Sequence, residues 1–331
     1  MTDDPGSEDA PAGGPRHEQG SFQERVNAAR DEFENQVAHA REQFEERNER
    51  IKERTGRDLL SAILVGVAAG AVVLVSLLVA KWLFTGVALL VSVLGVHELW
   101  RAFRAAGRRV DLAPQLVAVA LLLASGVAAD LWLHWVALFA SMAFIVVWRM
   151  LAQMAAQDGR APREIVADGL VGAFIPLYVP FLASLALVLL REERGEWWIL
   201  AFLVVVVVSD TAAYAAGLAF GRHPMAPRVS PKKTWEGFAG AAAGALLAGA
   251  LLGTFMLGIP WWAGLVFGAV ILLTATAGDL GESLIKRDLG IKDMSSALPG
   301  HGGVLDRLDS MLPSAVAALA LHFLLSPLAV L

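Results

Sequence analysis

Asp279, Glu282, Ser283, Lys286 and Arg287 recur at i, i+3, i+4, i+7 and i+8, the spacing of one helical face, while Leu280, Leu284 and Ile285 fall away from it. Lys292 and Asp293 come next, then Pro299-Gly300-His301-Gly302-Gly303, then Asp306, Arg307 and Asp309. Pro and three Gly around His301 predict a loop whose backbone can approach a ligand closely. Asp306 and Asp309 stand three apart on the helix expected to follow, so both carboxylates point the same way. Carboxylates that converge with Lys and Arg suit metal-assisted phosphoryl or nucleotidyl transfer. Hard Mg²⁺ takes one or two carboxylates plus phosphate oxygens, and the basic groups neutralise charge that builds on phosphorus oxygens. The bland reading of the same face is a snorkelling helix end with internal ion pairs.

A second polar region lies upstream. Ser209-Asp210-Thr211 follows five consecutive valines, and Tyr214 stands one turn on. Asp210 thus falls within or just below an apolar helix, where an unpaired carboxylate is expensive and calls for a partner. The next loop holds Gly221-Arg222-His223-Pro224 and Ser230-Pro231-Lys232-Lys233-Thr234-Trp235-Glu236-Gly237. Ser230, Lys232, Lys233 and Thr234 supply hydroxyl and ammonium donors, expected in a turn that Pro231 holds open, and such donors suit a triphosphate or a lipid phosphate. A loop that merely fixes topology would explain the charges, but not Ser230, Thr234 and Glu236.

The elements that position these groups are apolar. Of the 331 residues, 56% are hydrophobic and 18% charged, against about a quarter charged in a soluble domain. Nine runs, roughly 59–80, 82–100, 112–129, 131–151, 166–190, 197–220, 237–259, 261–279 and 311–331, approach the ~20 residues that span a bilayer as helix. The fold class expected is all-α, a polytopic membrane protein. The first pair of runs, and the third with the fourth, are separated by very short turns and read as helical hairpins. With the N-terminus in the cytoplasm, the inner loops carry fifteen Lys and Arg and the outer loops three, Lys81, Arg191 and Arg194. That bias places the C-terminus outside and both polar loops inside. The pairs Trp197–Trp198 and Trp261–Trp262 read as interfacial anchors at outer helix ends. Gly240, Gly244, Gly249 and Gly253 read as close helix-packing positions.

Residues 1–20 are acidic and rich in Gly and Pro, and are expected to be a disordered tail. Residues 21–57 are expected to form a charged amphipathic helix, because their apolar positions repeat every eleven residues. It reads as a juxtamembrane helix or a short self-associating coil. Residues 58–331 form the membrane domain. The absence of cysteine excludes disulfides, thiolate metal sites and a cysteine nucleophile.

The segment from Ser283 to Asp309, SLIKRDLGIKDMSSALPGHGGVLDRLD, resembles the signature of phosphatidate cytidylyltransferases (CDP-diacylglycerol synthases). Ser283, Lys286, Arg287, Lys292, Asp293, His301, Gly302, Gly303, Asp306, Arg307 and Asp309 fill its fixed positions. The upstream SDTAAYAAG and SPKKTWEGFAG are similar to the family's other blocks, in the same order. One departure is Leu218, where the family has Arg; Arg222 is the basic residue nearby. The resemblance covers roughly residues 60–331. It implies transfer of CMP from CTP to phosphatidic acid, giving CDP-diacylglycerol and pyrophosphate, with Mg²⁺ and, as an option, a second cation. It implies a bacterial inner-membrane location and a polar cavity near the cytoplasmic face, open sideways to lipid. By analogy, Asp279 and Asp306 are the main metal ligands and Asp309 supports them. Lys286, Arg287, Lys292 and Arg307 would neutralise phosphates. Ser230, Lys232, Lys233 and Thr234 would hold a second phosphate, with Glu236 and Ser283 beside the substrate. Asp210, Asp293 and His301 complete the expected catalytic set.

The partners expected are CTP, phosphatidic acid and membrane lipids, with a homodimer as an option and no nucleic acid. Competing readings are a CTP-dependent enzyme acting on an isoprenoid or ether lipid, an ion-coupled transporter, and a scaffold acting through the N-terminal helix. Against the transporter, the polar motifs cluster at one face and no inverted repeat is visible in the hydropathy.

Overall fold

A computed structural model describes residues 59–156, 159–295 and 302–329. The expected tail of residues 1–20, the helix of residues 21–57 and His301 lie outside the described residues. The described chain is built mainly from helices, in chain order. These are α1 (Leu59–Leu78), α2 (Lys81–Ala105), α3 (Leu112–Ala128), α4 (Leu131–Ala156), α5 (Pro162–Pro176), α6 (Leu182–Arg191) and α7 (Gly195–Phe220). A hairpin of β1 (Pro224–Ala226) and β2 (Ser230–Thr234) follows. The chain then forms α8 (Trp235–Leu252), α9 (Trp261–Asp288), α10 (Leu305–Leu308) and α11 (Met311–Leu325).

Among the described residues, seven helical runs are long and apolar enough to cross a membrane: Lys81–Ala105, Leu131–Ala156, Pro162–Arg191, Gly195–Phe220, Trp235–Leu257, Trp261–Asp288 and Leu305–Leu328. Two shorter apolar helices, Gly66–Leu78 and Leu112–Ala128, complete the described apolar segments. Each of the nine segments expected from hydropathy thus has a helix in the described residues, and seven of these runs meet the spanning criterion of length and composition there. The described chain is mostly helical, as the all-α expectation requires, and residues 224–234 add a short antiparallel hairpin with Pro224 opposite Thr234 and Ala226 opposite Ser230. The donors Ser230 to Thr234 thus lie on a strand, not in an open turn. Pro231 is tolerated there because a two-stranded ribbon has free edges.

Pro162–Arg191 is the central helix, with 78% of its apolar window buried against 28% for Leu131–Ala156. It contains Pro176 and Pro180 and widens into a π turn at Leu177–Phe181. A proline inside a helix removes a backbone donor and leaves the carbonyl four residues earlier unpaired. The carbonyl orphaned by Pro176 is that of Gly172, and Gln115 Nε2 of α3 donates to it at 2.9 Å. This exchange lets a kinked helix sit in the core without a naked carbonyl.

α3 and α4 pack as the expected hairpin. α1 differs from expectation: from Gly66 to Leu78 it is largely exposed, with only Ser76 and Leu77 buried. Gly240, Gly244 and Gly249 of α8, with Gly253 just after it, serve close packing on two faces. A side chain at Gly240 or Gly244 would strike α7 at Ala212, and one at Gly249 or Gly253 would strike α9 at Gly264. Trp261 and Trp262 are exposed, as lipid-facing anchors would be, but Trp198 is 3% exposed. Trp198 is a core residue, packed edge-on to Phe267 at 5.7 Å and His322 at 5.2 Å. The basic residues expected outside cap neighbouring elements at one end of the bundle. Arg191 donates to Ala129 O at 2.5 Å, Arg194 donates to Met256 O at 2.7 Å, and Lys81 pairs with Glu196 at 2.8 Å.

Candidate active site

α9 is unbroken from the apolar Trp261 to Asp288, so the polar face read from the sequence is its final three turns. The chain turns at Gly290 and returns antiparallel as α10 and α11. Two rungs join the antiparallel segments. Lys286 Nζ lies 2.8 Å from Asp306 Oδ1 and 3.0 Å from Glu282 Oε2. One turn deeper, the carboxyl groups of Glu282 and Asp309 face each other. The spacing of Asp306 and Asp309 thus matches Lys286 and Glu282 four apart on α9, as the common-face reading requires.

Each carboxylate has its own surroundings. Asp306 Oδ2 accepts from Gly303 N at 2.7 Å and Met294 N at 3.1 Å, so Asp306 ties the ends of the intervening loop as well as holding Lys286. Gly302 makes this possible at φ +81°, a conformation that L side chains rarely adopt. Asp309 Oδ1 accepts from Ser310 N at 2.6 Å. Asp279 pairs with Lys233 of β2 and accepts from Ser283 Oγ at 3.4 Å. Glu282 is fully buried, and its Oε1 has no donor among the described residues. Tyr178, from the π turn of the central helix, feels the charges of Asp279, Glu282 and Asp309, and its hydroxyl likewise lacks a partner among the described residues. Two carboxyl groups within hydrogen-bond reach of each other need a proton or a cation between them.

α7, the hairpin, α8 and α9 enclose a cavity of about 480 Å³. Asp210, Lys232, Lys233 and Asp279 line its polar part, and Tyr214 and Leu218 an apolar part. The carboxylates of Asp279 and Asp309 and the cations of Lys233 and Arg307 lie within electrostatic reach of Asp210, and Lys233 is itself paired with Asp279. Tyr214 and Leu218 are 72% and 76% exposed, so the cavity opens onto a strongly apolar flank.

The structure does not bring every expected residue to this cavity. Thr234 lines it but spends Oγ1 as the N-cap of α8, accepting from Gly237 N at 3.1 Å. Glu236 ties down the hairpin: Oε2 accepts from Arg222 N at 3.1 Å and His223 N at 3.2 Å, and Oε1 lies 2.5 Å from His223 Nδ1. Ser230 opens β2, half-buried. Arg287 donates to Val229 O at 3.2 Å and Ile291 O at 3.4 Å, joining the hairpin to the end of α9. Lys292 and Asp293 are exposed on the bend that follows, and Arg307 is exposed on α10. Among the described residues, no three acidic or histidine side chains form a ready-made metal cage.

Sequence reasoning placed Glu282 on the polar face but gave it no role, and it overlooked Glu98 and Gly278. Glu98 is a carboxylate inside an apolar span, a signal strong enough to have found it. Gly278 carries no such signal, because its importance lies in what packs against it. A side chain there would strike the Asp309 carbonyl.

Comparison with known proteins adds to this geometry. The model of the cytidylyltransferase family matches residues 60–325. A phosphatidate cytidylyltransferase of Mycobacterium bovis is 37% identical over 278 residues, covering 80% of this chain and 88% of that protein. One of Mycobacterium leprae is 36% identical over 282 residues, again 80% and 88%. One of Helicobacter pylori is 44% identical over 156 residues, 46% of this chain and 56% of that protein. The polar ends of α7, β2, α9 and α10 all fall inside the matched region, and by that match the chain belongs to the cytidylyltransferase family.

Proposed function

We propose that the protein transfers CMP from CTP to phosphatidic acid, releasing CDP-diacylglycerol and pyrophosphate. The observation that carries this reading is the cavity in which Lys232, Lys233, Asp210 and Asp279 meet an apolar, laterally exposed flank. A substrate with a phosphate head and two acyl chains needs both surfaces, and a nucleotide needs the first. The name shared by the relatives supports the same reaction.

An oxygen of the phosphatidate phosphate attacks the α-phosphorus of CTP, and the bond from that phosphorus to the bridging β-oxygen breaks. The nucleophile is already an anion, so no strong general base is needed; positioning and charge neutralisation do most of the work. Lys232 and Lys233 hold one phosphate group over the cavity, and Lys286 and Arg307 offset charge on the leaving pyrophosphate. Arg287 and Lys292, at the rim, attract the nucleotide. Asp210 orders the basic groups around it.

Mg²⁺ fits the donor set. The ligands available are hard carboxylate oxygens, and Glu282, whose Oε1 has no donor among the described residues and whose carboxyl group lies close to Asp309, marks a place where positive charge is wanted. Asp279, Asp306 and Asp309 would hold the ion, which when bound supplies electrostatic stabilisation of the phosphate oxygens. Asp306 is engaged by Lys286 and two backbone amides, so Lys286 turns from Asp306 to phosphate as the site loads.

In this reading the protein lies in the bacterial inner membrane with nine spans, Leu59–Leu78 and Leu112–Ala128 included. Its N-terminus and active site face the cytoplasm, and its C-terminus faces outside. Supplying the purified protein with labelled CTP, Mg²⁺ and different lipid phosphates tests the reaction. Labelled CDP-lipid should form from phosphatidate. Product from an isoprenoid phosphate but not from phosphatidate would overturn the substrate assignment. The absence of cysteine makes topology directly testable: a Cys introduced at Arg228 should react with impermeant reagent only from the cytoplasmic side.

A further inference from the structure

Two carboxylates tie the loop between α9 and α10. One is Asp306, from within. The other is Glu98, on α2, about two hundred residues earlier in the chain. Glu98 is 4% exposed. Its Oε1 accepts from Val304 N at 2.9 Å and Ser295 Oγ at 2.5 Å, and its Oε2 accepts from Leu305 N at 2.9 Å. Gly303 completes the fit, since a side chain there would stand 2.7 Å from Glu98 Oε2.

A carboxylate taken out of water is costly unless hydrogen-bond donors reach it. The three donors named come from one loop, on both flanks of residues 296–301. Bonds to an ionised acceptor are short, strong and directional, so they fix the backbone of residues 303–305. From that backbone Asp306 reaches Lys286 of α9, and Arg307 lies within electrostatic reach of Asp210. We propose that Glu98 is a positioning residue for the transfer reaction: it sets the backbone from which Asp306 reaches Lys286 of α9 and on which Arg307 follows. This rests on placing Asp306 and Arg307 in the reacting site.

The test uses the full chain in lipid nanodiscs with Glu98→Gln, Glu98→Asp and Ser295→Ala. Gln keeps the size of Glu98 but turns an amide group's N–H towards a backbone N–H, donor against donor. E98Q should lower kcat per folded molecule roughly tenfold to a hundredfold, the scale of losing charge-assisted hydrogen bonds that hold a reacting group. The KM for phosphatidate should stay within about twofold, because the lipid cavity of α7 and α8 is untouched. Hydrogen exchange of the peptide holding residues 303–307 should quicken about tenfold or more, with α7 and α8 unchanged. E98D should recover part of kcat, and S295A should show a smaller loss of the same kind. Wild-type kcat in E98Q overturns the proposal, and so does exchange that quickens alike in every helix. If E98Q does not fold, unchanged exchange at residues 303–307 in folded S295A overturns it instead. Exchange needs no chemistry. If the unaltered protein transfers no CMP, the proposed reaction fails and exchange still reports on the tie. Local loosening without loss of kcat refutes the positioning role itself.

Discussion

α9 and the segment leading into α11 come together at Gly278, one residue before Asp279. A methyl group at this position would collide with the Asp309 carbonyl oxygen and stand 2.9 Å from Pro313 Cγ and 3.1 Å from the Asp309 carbonyl carbon. Carbon atoms rest about 3.5–4.0 Å apart, so Gly278→Ala forces the two segments apart by roughly 1 Å. Neither obstacle can rotate away, because one is backbone and the other a proline ring. Overpacking of this kind costs about 1–3 kcal/mol, offset by about 0.5–1 kcal/mol from removing a helical glycine. The protein should therefore fold with a modestly lower melting temperature. Activity should suffer far more, because the displacement falls between Asp279 and Asp309, and a misplacement of ~1 Å in a catalytic constellation costs about a hundredfold. Pyrophosphate release from CTP and phosphatidate, normalised to folded protein, measures the effect. Gly281 supplies the control: it lies on the same helix, and a methyl group added there would meet nothing within 4 Å. Gly281→Ala should keep the rate within about twofold. A wild-type rate for G278A, or an equal loss for G281A, would refute the reasoning.

Lys286→Met should leave Glu282 and Asp306 without their shared cation. Losing one partner of a buried pair costs about 3–5 kcal/mol, so melting temperature and pyrophosphate release should fall together. Gln115→Leu should uncover the Gly172 carbonyl and destabilise the protein by about 1–3 kcal/mol, visible in thermal melts, with kcat per folded molecule unchanged. Chelation of Mg²⁺ should stop pyrophosphate release, and readdition should restore it. In an Mg²⁺ titration, Asp309→Asn should raise the concentration needed for half-maximal rate about tenfold or more. An unchanged requirement would remove Asp309 from the ligand set.

Much of the site was legible because helical periodicity places residues by arithmetic. Asp279, Ser283 and Lys286 had to share a face once α9 was helical, and Asp306 and Asp309 had to follow suit. Hydropathy likewise located all nine apolar helices. The hairpin at residues 224–234 was not legible: β2 is five residues long and contains Pro231, so no strand pattern can develop. Trp198 was misread for a related reason. An aromatic residue at a helix end suits an interface, and only the packing of α7 against Phe267 and His322 makes it core.

By itself, the sequence determined the membrane-helix class, the chemistry available and the two polar segments that carry it, because composition and period are properties of a single chain segment. The tertiary structure decided which charges meet. Lys233 faces Asp279 from a strand 46 residues away, Asp306 is bound by Lys286, and Glu98 reaches the same loop from α2. Those pairings depend on how closely helices approach, set by Gly278 and the glycines of α8, and helix approach is a relation between segments that no local pattern encodes.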